Sequence, residues 1–174
     1  MTATKKFLID TNTIVTPYRS YYAFDLAKLF WERLEQHILD GDIIILDLVK
    51  NEIAHGNDDL SDWLKRFDNN IILNHKNKDI ISNYREVLNH IALSDFYKEA
   101  ALINWSQLDL ADPWLIATGK TYGYTIVTFE TRNPNLNAIN KSRNAKIPDV
   151  CNVFGVSHTT LYDMMRQLSF NLST

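Results

Sequence analysis

The sequence predicts an α/β domain built on a central parallel sheet flanked by helices. Three observations predict it. Short apolar or β-branched runs recur at Phe7-Leu8-Ile9, Ile43-Ile44-Ile45-Leu46 and Tyr124–Phe129 and read as buried strands. Stretches with apolar residues at three- and four-residue spacing lie between them, and strands alternating with helices imply βαβ units. No repeat, low-complexity tract or linker divides the 174 residues, so a single domain is expected over 1–174.

Lys5 to Ile9 reads as the first strand and ends at Asp10. Thr11 to Tyr22 reads as a polar and aromatic connection containing Pro17. A helix is expected from about Phe24, because Phe24, Ala27, Phe30, Trp31, Leu34 and Ile38 make one apolar stripe. Asp40-Gly41 stops it before the second strand, Ile43 to Leu46, and Asp47 can cap a following helix with Val49, Glu52 and Ile53. The middle is helical near Asp58–Phe67, Asp79–His90 and Ser94–Trp105, with Ile71-Ile72-Leu73 as a strand or bridge.

Asp112-Pro113-Trp114 opens another helix, since proline suits a first turn where its missing N–H is not needed. Gly119 and Gly123 are expected to close it before a strand at Tyr124–Phe129. Arg132 to Lys146 reads as a polar, Asn-rich loop, Ile147 to Phe154 as a last strand or extended segment, and Ser157 to Leu168 as a C-terminal helix.

Hydrophobic residues at 45% and charged residues at 22% suit a globular domain with a real core. The single cysteine, Cys151, rules out an internal disulfide and a thiolate zinc cluster, and fits a reducing cytosol. No stretch approaches the ~20 apolar residues of a spanning helix, so a cytoplasmic protein with no membrane association is expected. The net charge of −3 argues little against nucleic acid: with four carboxylates on cations the remainder is −3 + 4 = +1.

Ligands of a parallel sheet gather at the carboxyl ends of its strands. Asp10 follows the first strand and Glu130 the strand ending at Thr128; Glu52 lies in the helix after the second strand, and Asp112 opens the helix before the Glu130 strand. Taken singly, Asp10 suits a turn or cap, Asp112 a helix cap, and Glu52 and Glu130 a solvated face. Their joint placement at one sheet edge points to chemistry. Four clustered carboxylates would repel one another without a cation, and hard ions such as Mg²⁺ and Mn²⁺ take such ligands. Two such ions can activate water and stabilise the departing oxygen in phosphodiester cleavage.

Asp10-Thr11-Asn12, Glu52-Ile53, the run Ala111-Asp112-Pro113-Trp114-Leu115-Ile116-Ala117, and Ile126-Val127-Thr128-Phe129-Glu130 together resemble the PIN-domain nucleases. The likeness is greatest to a bacterial and archaeal branch of PIN-like proteins. Asn12, Tyr21-Tyr22, Phe24-Asp25, and the tail Lys146-Ile147-Pro148-Asp149-Val150-Cys151 with Phe154-Gly155-Val156 carry that further match. The resemblance implies a PIN-like fold and an endoribonuclease using Mg²⁺ or Mn²⁺, related to the VapC-type toxins of type II toxin–antitoxin pairs. Its partners would be an RNA substrate, a cognate antitoxin and a second copy of the chain in a homodimer. Asp10, Glu52 and Asp112 would carry the metal with Glu130 in support, and Asn12 and Thr128 would orient carboxylates or water. One departure stands out: where the common toxins end a Thr-x-Asp element, this chain has Glu130. Asp149 is an alternative fourth acid, although beside Pro148 it also suits a turn or cap.

For the substrate, Tyr18, Arg19, Tyr21 and Tyr22 could stack on unpaired bases or pack against the next helix. Arg132, Lys141, Arg143 and Lys146 make a basic loop suited either to phosphate or to solvent. Gly119-Lys120-Thr121 ends a helix and is not a phosphate-binding loop. A haloacid-dehalogenase-type phosphatase needs a second Asp where Asn12 stands. The five histidines lack metal-ligand spacing. Two rivals remain: a DNA-binding module with a helix-turn-helix in Val150 to Gln167, and a catalytically inactive partner-binding protein. Against the first, Arg166 is the one basic residue between Asp149 and Gln167.

Overall fold

Strand β1 (Phe7–Ile9) pairs in parallel with β2 (Ile43–Ile44) on one side and β3 (Thr125–Val127) on the other. Strand β3 pairs in turn with β4 (His158–Thr159), again in parallel, giving the order β2-β1-β3-β4. These strands belong to a computed structural model that describes residues 5–172. Phe7 stands opposite both Ile43 and Thr125, and Val127 opposite Thr159, so the carboxyl ends of the strands lie along one edge. Every residue of β1 and β3 is buried, as strands covered on both faces require.

The helices are α1 (Thr11–Thr16), α2 (Lys28–Leu39), α3 (Asp47–Ala54), α4 (Asp59–Lys65) and α5 (Lys78–Leu93). They continue as α6 (Glu99–Trp105), α7 (Ala111–Tyr122), α8 (Ile147–Phe154) and α9 (Leu161–Gln167). The result is an all-parallel four-stranded sheet flanked by helices, consistent with a PIN-like fold. Buried side chains from Phe7 to Met165 form one contiguous core. Tyr84 of α5 stacks on Trp114 of α7 at 3.7 Å between ring centroids, fixing that pair of helices. Among the described residues no helix is long and apolar enough to cross a membrane.

Five segments differ from expectation, each for a local reason; the helix expected from Ser94 begins at Glu99, since Tyr97 bridges to Ser142. Thr11 to Tyr21 is helical throughout, α1 running on into a π-helical turn over Pro17–Tyr21. Its β-branched residues are poor helix formers, but Thr13 and Ile14 are buried and repay the loss by packing. Helix α2 begins at Lys28, after Phe24 and Ala27, which pack from the preceding turn. Ile147–Phe154 is a helix, not a strand: Pro148 lies in its first turn, Asp149 follows, and Gly155 closes it with φ +65. The expected C-terminal helix begins at Leu161, because His158 and Thr159 are drawn into the sheet by hydrogen bonds with β3. Strand β4 therefore separates α8 from α9, so Val150 to Gln167 is not a helix-turn-helix.

Gly119 lies inside α7 instead of closing it, and Gly123, at φ +71, is the cap. A Cβ on Gly119 would stand 2.8 Å from Val156 Cγ1 and 3.3 Å from the Tyr124 carbonyl. Glycine is needed there for close approach, not for its backbone freedom. The expected bridge at Leu73 is present, pairing with Leu46.

Candidate functional site

β1 and β3 are neighbours, and the chain leaves them toward opposite sides of the sheet. The crevice at such a reversal of strand order is where ligands of open α/β sheets bind. Asp10 and Glu130 stand at this point. Asp10 takes the N-cap position of α1 in extended conformation, its N–H donating to the Val127 carbonyl and its carbonyl accepting from Thr13 N, each at 3.0 Å. Its side chain is therefore aimed by backbone pairing, and the residue is only 2% exposed. The Thr128 hydroxyl donates to Asp10 Oδ2 at 3.0 Å and accepts from Glu130 N at 3.1 Å. One hydroxyl thus registers the ends of two adjacent strands.

Helix α3 brings Glu52 to the same edge from the β2 side. Glu52 accepts a short hydrogen bond from the Thr11 hydroxyl, and its Oε1 accepts from Ala111 N at 2.9 Å. This last bond satisfies one of the N–H groups that the start of α7 leaves without a helical partner. Asp112, in that same first turn, takes no side-chain hydrogen bond among the described residues. Glu130 accepts from Lys146 Nζ at 2.6 Å and from Ile147 N, the start of α8, at 2.8 Å.

The electrostatics identify which groups share one field. Burial pushes the Asp10 carboxyl up to about 6; the Thr128 bond opposes this, and the charges of Glu130 and Glu52 add to it. Burial pushes Asp112 up to about 8, with Asp10, Glu130 and Glu52 raising it further and Lys146 opposing. The N-terminal end of α7 favours a negative charge by about 2 kcal/mol at most, roughly one and a half pKa units. Burial and like-charge repulsion therefore outweigh the helix dipole. Lys146 is itself raised, first by its bond to Glu130.

Four carboxylates and an ammonium thus meet at the strand ends. Asp149 does not join them. It is 7% exposed, accepts from Asn133 N at 3.0 Å, and lies 3.5 Å from Arg132 Nε. Of the two alternatives for a fourth acid, Glu130 is the one whose charge acts on Asp10 and Asp112.

Among the described residues, no group of three His, Cys, Asp or Glu side chains stands as a ready-made metal-holding set. Glu52 and Glu130 are instead engaged by Thr11, Ala111, Lys146 and Ile147. The donor chemistry nonetheless fits a hard divalent cation. Asp10 and Asp112 are oxygen donors whose proton affinity is raised first by burial and then by neighbouring carboxylates, and Asp112 has no competing side-chain hydrogen bond among the described residues.

The remaining expected residues divide. Asn12, Arg19, Tyr21 and Arg143 are exposed, and Lys146 is half-buried between Glu130 and the edge of the acids. Tyr22 is stacked on Phe30 at 4.3 Å, and Tyr18 packs on Phe24 and Trp31, which is the packing alternative for those rings. Lys141 pairs with Asp95 at 3.2 Å. Sequence reasoning missed Thr11 as the partner of Glu52. The signal available was its place beside Asp10, where a hydroxyl at a helix start faces the sheet edge. A cleft of about 680 Å³ opens on the outer side of Glu52 without enclosing the other three acids.

A family model described as "Domain of unknown function (DUF4411)" matches residues 7–172. No curated protein and no solved structure matches the chain.

Proposed function

This chain belongs to the DUF4411 family, and we propose that it is a PIN-like, metal-dependent endoribonuclease that hydrolyses RNA at the acidic strand edge. One observation carries the proposal. The buried Asp10 carboxylate at the reversal point of a parallel sheet lies in the field of Glu52 and Glu130, and Asp112 lies in the field of all three, an arrangement that a divalent cation would neutralise. Asp10 and Asp112 would hold Mg²⁺ or Mn²⁺, with Glu52 and Glu130 in support. Such an ion supplies an activated water and charge stabilisation for the departing oxygen.

The chain's own groups have distinct tasks. Thr128 keeps Asp10 oriented, and Thr11 with Ala111 N keeps Glu52 oriented. Lys146 balances Glu130 and brings a positive charge to the edge where a phosphodiester would lie. Arg132 and Arg143 extend that charge along the loop. The resemblance to PIN-like toxins extends the proposal to a toxin restrained by a cognate antitoxin in the cytoplasm. A second reading, an inactive partner-binding protein, draws on the engagement of Glu52 and Glu130 by neighbouring groups.

Cleavage of a mixed-sequence single-stranded RNA with Mn²⁺ or Mg²⁺ tests the proposal, beside Asp10→Asn, Asp112→Asn and an EDTA control. Cleavage lost in both variants and with EDTA is the expected result. Equal behaviour of wild type and variants would move the partner-binding reading to the front.

A further inference from the structure

The cleft beside Glu52 has a chemistry distinct from the acidic edge that it adjoins. At about 680 Å³ it is within the range of small-ligand sites. No lysine or arginine lines it. Asp109 lies on its wall, so a phosphate would meet repulsion and no counter-charge. Its apolar surface comes from Leu48 and Leu110. Its polar surface comes from Asn51, Glu52, His55, Gln107 and Asp109; Glu52 is held by Thr11 and Ala111 N, and none of the other four side chains gives or takes a side-chain hydrogen bond among the described residues. Helix α3 supplies Asn51 and Glu52, with His55 at its end, while the α6–α7 connection supplies Gln107 and Asp109.

A neutral, planar group with a hydrogen-bonding edge suits this combination. Amides read base edges with paired donors and acceptors, imidazole offers a face for stacking, and a carboxylate accepts from an amino group but repels a carbonyl oxygen. We propose that this cleft receives one unpaired nucleobase of the RNA, selects bases with an exocyclic amino group, and uses Asp109 to disfavour uracil. The proposal rests on the ribonuclease reading for its substrate, because Glu52 joins the cleft to the acidic edge. A base held there places the adjoining sugar–phosphate near the strand ends, while Lys146 and the basic loop lie on the Glu130 side.

The test uses the whole chain and two readouts. Adenosine, cytidine and uridine are titrated separately while the side-chain amide signals of Asn51 and Gln107 are followed by NMR. Adenosine or cytidine is expected to shift both signals, with uridine about tenfold weaker. Asp109→Asn, which adds a donor at an exposed position, should bring uridine to within about twofold of cytidine. Gln107→Ala should weaken all three. Equal binding of uridine and cytidine, or shifts confined to other residues, would overturn the proposal. In parallel, single-stranded RNAs differing at one base are offered with Mn²⁺. Cleavage without base preference and without nucleoside shifts sinks the pocket and spares the ribonuclease reading. Nucleoside binding as expected, with no RNA cleaved, sinks the ribonuclease reading and spares the pocket.

Discussion

Lys146 Nζ stands 2.6 Å from Glu130 Oε1, which puts an ammonium at the border of the acidic edge. That cation partly neutralises the field on Asp112 as well. Lys146→Ala should therefore tighten Mn²⁺ binding about three- to tenfold by calorimetry, through loss of a competing charge. It should at the same time lower RNA cleavage about tenfold, because the phosphate loses a partner. A parallel fall in both quantities would contradict the placement of Lys146 as a counter-charge.

Asp10 and Asp112 give the metal-free protein a definite response to pH. Their folded-state values of about 6 and about 8 lie above the ordinary 3.8, so the folded chain binds more protons than the unfolded chain between these limits. Stability is then greatest at the low end and is lost as pH rises from about 4 toward 8. In EDTA the Tm should fall over this range once global acid effects are past. Asp112→Asn should flatten the upper part of the fall and stabilise the metal-free protein at pH 8 by about 2 kcal/mol. Mn²⁺ should raise Tm more at pH 8 than at pH 5, since protons compete for the same oxygens.

Thr128 is buried, and its hydroxyl serves both Asp10 and Glu130. Thr128→Val keeps the shape and removes both bonds. Asp10 should titrate above its present value of about 6, and stability should fall by about 1–2 kcal/mol. Cleavage should drop about tenfold, with Thr128→Ser restoring most of it; failure of serine to rescue would make the effect one of packing alone.

The two alternatives for a fourth acid separate by mutation. Glu130→Gln should weaken metal-dependent cleavage at least about tenfold. Asp149→Asn should leave cleavage near wild type, since Asp149 is turned toward Asn133 and Arg132. Comparable losses in both variants would place Asp149 in the site after all.

Gly119→Ala should destabilise the protein by about 1–3 kcal/mol in denaturant unfolding, because the new methyl would press on Val156. Val156→Ala added to it should recover part of the loss. Additive losses in the double variant would place the strain at the Tyr124 carbonyl instead.

The inner strands, and the positions of Asp10, Asp112 and Glu130 at element ends, were legible because each leaves a strong local mark. Phe7–Ile9 and Thr125–Val127 are apolar or β-branched without interruption, and Asp10 and Glu130 follow them directly. Asp112 was legible from Pro113 and the apolar run behind it. Other elements leave no such mark. Strand β4 is two residues long and exists through pairing with a strand some thirty positions away, which no window of sequence contains. Helix α8 carries Val150 and Cys151, read locally as strand formers, but burial against α7 and the cap at Gly155 decide otherwise. In the site, the bond from Thr11 to Glu52 joins residues that only folding brings together. The basic loop likewise conceals that Lys146 faces Glu130.

The outer strands of the sheet, Ile43–Ile44 and His158–Thr159, are each only two residues long, and Leu73 bridges to Leu46 just beyond the first. Among the described residues, neither border offers another chain a long row of free backbone groups on which to add a strand. Strand-by-strand polymerisation, the usual hazard of an open sheet, has little to start from. Two copies meeting would then do so through helical faces, leaving the crevice at the strand ends of each sheet to its own chain.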